Sequence, residues 1–313
     1  MSVASLIDSR LVMVTGKGGT GKTTLAAALA VVAAAKGKRV LLCEVDNQRP
    51  SLTPIFDAMP VFKPVEVQKG LSISNILFTE ALEDFIQNVV PVRRFVRMVL
   101  ENKVVGRFLD FAPGSRELVA LTRLATLVQQ YDLVVVDMPA SGHAFSLLDI
   151  VRSAVGLFRS GPVRKLAEEL RSLLCDKRSR LLFVSLPEEM VVNETIETLD
   201  RMRRAEVLGG EPAVILNRAT LPSLTDAERL CLKQLSEGEL SALEREFVRA
   251  GLWEDALEQA TAEASQRLAS AFPEPASLVP PSGPGGVPRH VVASVAVHLG
   301  RSVGLTRREL PWS

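Results

Sequence analysis

The sequence predicts an α/β protein: a doubly wound, mostly parallel sheet with a helical insertion. Three observations predict it. First, continuous apolar runs ending in polar or acidic residues recur at 11–14, 39–46, 131–137, 181–185 and 212–216, as strands buried on both faces should look. Second, helical runs separate most of these strands, as parallel crossovers require. Third, between about residues 56 and 130 the alternation stops and helical runs dominate, which marks an insertion. A hydrophobic content of 47% supports a sizeable core, and with only 5% aromatics that core is built from Leu, Val and Ala.

The first strand is Leu11-Val12-Met13-Val14. It runs into Gly16-Lys17-Gly18-Gly19-Thr20-Gly21-Lys22-Thr23-Thr24, and an alanine-rich helical run over 25–35 follows. Gly16, Gly21, Lys22 and Thr23 fill the fixed positions of G-x-x-x-x-G-K-[ST], in the strand-loop-helix context that motif requires. Glycines let backbone N–H groups converge on phosphate oxygens, and the helix offers unpaired donors at its first turn. Gly16, Gly18, Gly19, Thr20, Gly21, Lys22, Thr23 and Thr24 are therefore assigned to nucleotide binding. Lys22 supplies a charge for the β- and γ-phosphates, and Thr23 offers a hydroxyl to Mg²⁺. The second lysine, Lys17, follows the first glycine. Loops of the form Lys-Gly-Gly-x-Gly-Lys-Thr resemble the deviant Walker A group, which holds the MinD, ParA, nitrogenase-iron-protein and arsenite-pump ATPases. The resemblance implies a nucleotide-sandwich dimer in which Lys17 acts on the partner's nucleotide.

The second strand, 39–46, ends in Glu44-Val45-Asp46, where open α/β sheets place ligands. In the arsenite-pump group this place reads Asp-Pro-Ala, the first switch, and its Asp orients the attacking water. Here Asp46 matches but Asn47-Gln48 replaces the Pro-Ala, so only Asp46 is carried over. Two short strands are read at 65–67 and 71–73, then helices at about 79–89, 91–109 and 116–130. In the insertion, apolar residues such as Phe95, Val99 and Phe108 interleave with Arg93, Arg94, Arg97, Lys103 and Arg107. The pattern fits either an apolar client groove or an ordinary helical core with solvated basic faces.

The strand over 131–137 ends in Asp137, the Walker B arrangement that holds Mg²⁺ directly or through its water. It continues Asp137-Met138-Pro139-Ala140-Ser141-Gly142-His143. This resembles the Asp-Thr-Ala-Pro-Thr-Gly-His signature of the arsenite-pump and tail-anchored-protein-targeting ATPases. In that family the segment is the second switch, coupling the γ-phosphate to the helical subdomain. Asp137, Gly142 and His143 are the switch residues the resemblance implies, with Gly142 giving the loop freedom and His143 relaying its state. Helices are read at 144–158 and 163–174, a strand at 181–185, a helix at 193–206 and a strand at 212–216. Asn217 then stands where the family reads adenine. A helical region over 221–271, a Pro/Gly-rich loop over 272–289 with an edge strand at 276–279, and an amphipathic helix over 290–304, suited to docking on the body or to touching a membrane surface, follow.

The expectation is one P-loop ATPase domain over 1–313, its helical subdomain split between about 60–128 and 144–178. The cofactors are ATP and Mg²⁺. A homodimer, or a heterodimer with a paralogue, couples ATP state to a hydrophobic client or protein partner. A net charge of +1 gives no electrostatic footprint for nucleic acid. No apolar run approaches roughly 18 residues, so no integral membrane segment is expected. Cys43, Cys175 and Cys231 are scattered, which argues against a metalloid cluster, a zinc clamp or disulfides and fits a cytoplasmic location. Two other classes stay open: a ParA/MinD-like positioning ATPase, and a nucleotide-binding adaptor with weak or no hydrolysis.

Overall fold

A computed structural model describes residues 3–89, 115–157, 162–206, 209–282 and 286–312. Its centre is an eight-stranded sheet in the order β3-β4-β2-β5-β1-β6-β7-β8. The strands are β1 (Leu11–Thr15), β2 (Val40–Val45), β3 (Val65–Gln68), β4 (Leu71–Ile76), β5 (Leu133–Asp137), β6 (Ser179–Ser185), β7 (Ala213–Asn217) and β8 (Ser277–Val279). Every pairing is parallel except β3 with β4, an antiparallel hairpin turned at Gly70.

Side-chain alternation divides the core into two layers. Val12, Val14, Val40, Leu42, Leu133 and Val135 face one layer, and Leu11, Met13, Leu41, Cys43, Val134 and Val136 face the other. The first layer is covered by α1 (Val3–Ile7), α2 (Lys22–Ala35), α3 (Thr53–Phe56) and the late helix α11 (Pro288–Arg301). α2 is wedged between the sheet and α11, so every residue from Leu25 to Ala34 is buried. An all-apolar helix is what burial on every side requires, and alanines allow the close approach. α11 docks through Val292, Val295, Ala296 and Leu299.

The second layer holds α4 (Phe78–Val89), α5 (Ser115–Val128), α6 (Ser141–Leu157), α7 (Pro162–Leu174), α8 (Glu189–Arg204) and the end of the long α10 (Ala242–Ala271). Within the stretch assigned to a helical subdomain, residues 65–76 belong to the main sheet, and the helices begin at Phe78. The helix expected at 91–109, with its apolar and basic residues, lies outside the described residues. Among the described residues no helix is long and apolar enough to cross a membrane.

After β7 the chain is pinned by α10. Thr261 accepts the Thr220 N–H, and Glu258 accepts the N–H groups of Ser223 and Leu224 and the Ser223 hydroxyl. Arg229, on α9 (Asp226–Ser236), pairs with both Asp255 and Glu258. Burial pushes the Glu258 carboxyl up, but the Ser223, Arg229 and Leu224 donors outweigh it and hold the group at about 2. Because the folded value lies below the ordinary 4.5, this carboxylate stabilises the fold above that pH and loses its contribution as pH falls through about 2. Glu258→Gln is therefore expected to lower Tm at neutral pH, with the gap from native narrowing in acid. Thermal melts across pH would show it, and a gap independent of pH would contradict it.

Candidate functional site

The carboxyl ends of β1, β2 and β5 meet where the strand order departs in both directions from β1, the usual crevice of an open α/β sheet. β1 turns into α2 through Gly16 to Gly21. Gly16 has φ 149°, and a Cβ there would sit 2.3 Å from the Val184 carbonyl oxygen. Gly21 has φ 92°, and its Cβ would meet the Asn217 amide nitrogen at 2.4 Å. Both positions thus exclude a side chain by space as well as by backbone conformation. Gly21 is also the N-cap of α2, and no side chain caps that terminus. The helix therefore directs its first N–H groups and partial positive charge outward into the loop.

The loop is closed around one carbonyl. Lys17 O accepts the Thr20 hydroxyl at 2.9 Å and the Lys22 ammonium at 3.0 Å. Burial lowers the Lys22 pKa, while the charges of Asp137 and Glu194 raise it. The Lys17 side chain points elsewhere, 3.6 Å from Glu194 Oε2 on α8. Glu194 also accepts the Ser141 hydroxyl at 2.6 Å, and the Ser141 N–H donates to Gly16 O. The phosphate-type loop and the start of α6 are thus joined twice.

Thr23 donates its hydroxyl to Asp137 Oδ2 across 2.5 Å. Asp137 Oδ1 is buried without a partner. Burial, reinforced by the charge of Glu44, pushes this carboxyl up to about 6 against the pull of Thr23 and Lys22. Glu44 stands opposite Asp137 in the β2–β5 register and is 1% exposed. Its Oε1 accepts the Asn47 amide and the Ser51 N–H, both at 2.7 Å, while Oε2 is buried and unpartnered. Burial raises the Glu44 pKa, opposed by those donors. A hydroxyl and two carboxylates with unused oxygens form an all-oxygen donor set that fits a hard cation such as Mg²⁺, which keeps several waters. No group of three or more His, Cys, Asp or Glu suited to a metal occurs among the described residues, and all three cysteines are free and separate.

Lys22, Thr23 and Asp137 are brought together as the sequence suggests. Other assigned residues are placed differently. Asp46 is exposed at φ 46°, and its Oδ1 accepts the Phe78 N–H at the start of α4 at 3.2 Å. The short polar side chain of an Asp tolerates that left-handed backbone and is well suited to bond a nearby N–H. Asn217 is buried and gives its amide to Thr20 O at 2.8 Å, so it braces the phosphate-type loop directly. Gly142 lies within the first turn of α6, not in a loop, and a Cβ there would meet open space. His143 is exposed, with no side-chain hydrogen bond among the described residues.

The sequence reading missed Glu44, Asn75, Ser141 and Glu194. The signal for Glu44 was a charged side chain inside an otherwise apolar buried strand; Asn75 lies beside Ser72 and Ser74 in a strand of mixed polarity and does not stand out. Glu194, in a polar helix, had no such signal.

A family model described as anion-transporting ATPase matches residues 9–159. ATPase BagA of Mycobacterium tuberculosis is 32% identical over 261 residues, covering 78% of this chain and 73% of that protein. A putative ATPase of Mycobacterium bovis matches to the same extent. The arsenical pump-driving ATPase of Escherichia coli is 28% identical over 263 residues, covering 76% of this chain and 40% of that protein.

Proposed function

This chain belongs to the anion-transporting ATPase family, and from that premise we propose that it hydrolyses ATP with Mg²⁺ as a nucleotide-switched dimer, coupling its ATP state to a client or partner through its helical subdomain. The observation that carries the reading is the Thr23–Asp137 contact beside Lys22, at the mouth of an uncapped α2. Lys22 and the loop amides hold the phosphates. Thr23 and Asp137 hold Mg²⁺, which when bound neutralises charge on the β- and γ-phosphates. Asn217 keeps Thr20 and Gly21 in place. Asp46 orients the attacking water, and Lys17 from the partner subunit meets charge developing in the transition state. Ser141, bonded to Gly16 O and Glu194, passes movement of the loop into α6 and the helices beyond it.

The position of Asp46 favours a second reading. Its carboxylate is engaged at the N-terminus of α4, as befits an adaptor that binds nucleotide and hydrolyses it weakly or not at all. In both readings the protein acts in the cytoplasm, and its scattered cysteines speak against a trivalent metalloid as client.

Light scattering combined with phosphate release tests the proposal. The native chain is expected to double in mass with Mg²⁺ and AMP-PNP, and to release phosphate from ATP only when Mg²⁺ is present. Constant mass with sustained turnover would remove the dimer. Doubling without turnover would favour the adaptor.

A further inference from the structure

Three polar residues lie side by side across three strands at the carboxyl end of the sheet. Asn75 on β4 is opposite Glu44 on β2, and Glu44 is opposite Asp137 on β5. Directly paired residues in neighbouring strands share a face. Two residues back, the same face carries Leu42 and Val135, which pack in the layer of α2. The row is therefore on the side of Thr23. Polar side chains at a position otherwise reserved for apolar packing are costly unless engaged.

Their bonds run in one direction. Asn75 takes both backbone groups of Asn47: Oδ1 accepts its N–H at 3.3 Å and Nδ2 donates to its carbonyl at 2.7 Å. Glu44 Oε1 takes the Asn47 amide and the Ser51 N–H. Together they fix both ends of the loop 47–51 that follows Asp46. The second oxygen of Glu44 is free and buried in a residue that is 1% exposed, next to an Asp137 oxygen that is also free.

We propose that Glu44 is a positioning residue that ties the first-switch loop to the metal: one carboxylate oxygen holds Asn47 and Ser51, and the other serves the hydration shell of the Mg²⁺ held by Thr23 and Asp137. With its second oxygen engaged at the metal site, Glu44 would stiffen the loop that follows Asp46, and with that oxygen released it would slacken it. The inference rests on the Mg²⁺–ATP reading above and adds a residue and a route to it.

The test uses the full chain with Mg²⁺ and AMP-PNP, read by hydrogen exchange of the amides of residues 47–52 and by the Mg²⁺ dependence of AMP-PNP binding. In the native chain, adding Mg²⁺ to the AMP-PNP complex is expected to slow exchange in that loop. Glu44→Gln, which keeps an acceptor for Ser51, is expected to lose that slowing and to weaken Mg²⁺ affinity about 10- to 100-fold, the usual cost of an outer-shell change. Asn47→Ala, which leaves the carboxylate and its Ser51 bond intact, is expected to keep Mg²⁺ affinity and to lose the slowing at the Asn47 end of the loop, residues 47–49. If Glu44→Gln loses affinity but its loop responds normally, Glu44 is a counter-charge only and the proposal falls. Should Glu44→Gln not fold, Asn47→Ala decides: slowing at residues 47–49 that stays at the native level overturns the coupling. A native chain with no Mg²⁺ response at either readout overturns the Mg²⁺–ATP reading as well. A native response that Glu44→Gln shares overturns this inference alone.

Discussion

Lys17→Ala is expected to lower ATP turnover about 10³-fold, the lower end of what a cation supplied in trans contributes to phosphoryl transfer. ATP affinity and Tm should stay close to native. The separation follows from how the residue is used. Its carbonyl shapes the loop, accepting Thr20 and Lys22, and an alanine supplies the same carbonyl. Its side chain is 40% exposed, and among the described residues its ammonium pairs with Glu194 alone, at 3.6 Å. A partly exposed pair of that length is worth about 0–1 kcal/mol, so it is readily surrendered. Ser141 keeps its own bond to Glu194. Phosphate release and fluorescent-nucleotide binding on the same preparation measure both quantities. Turnover within about threefold of native would leave Lys17 with no part in the chemistry proposed for it.

Asp46→Asn is expected to reduce turnover about 10²-fold while ATP still binds, the lower range for loss of a group that handles the attacking water. Asparagine suits this position. It tolerates φ 46°, and its Oδ1 can still accept the Phe78 N–H that opens α4. The substitution removes the charge and spares the cap, so a lower rate with an unchanged Tm reports on chemistry. Native-like turnover would assign Asp46 to capping alone. Light scattering of the same variant with ATP and Mg²⁺ gives a second reading, since a slowed enzyme should accumulate as the doubled species.

The layout was legible because apolar runs name buried strands and glycine-lysine-threonine names the loop between β1 and α2. The two short strands β3 and β4 and the docking of α11 were also read from local pattern, although the place of β3 and β4 in the main sheet was not. The site was less legible. Glu44 interrupts an apolar strand and Asn75 sits in a strand of mixed polarity, and periodicity does not say what either faces. Only the register across β4, β2 and β5 aligns them with Asp137. Asn217 was assigned to adenine from the family resemblance; that its amide also donates to Thr20, 197 positions away, is a contact that spacing cannot reveal. Gly142 was read as giving the second-switch loop freedom, whereas the helix here starts one residue earlier and takes Gly142 into its first turn. For Glu44, Asn75 and Asn217 the deciding contact joins residues far apart in sequence, where a linear reading has no access.

The sheet is bounded by β8, three residues long, and by β3, four residues long, whose pairing shifts between Glu66 and Gln68. Such short or irregular borders offer poor templates for another chain to extend the ladder. Edge-to-edge stacking of copies, the route toward fibrils, is therefore disfavoured by construction. Subunits that associate are left with the rim of strand ends and the helical faces as meeting ground, which is where the proposed nucleotide-governed encounter would take place.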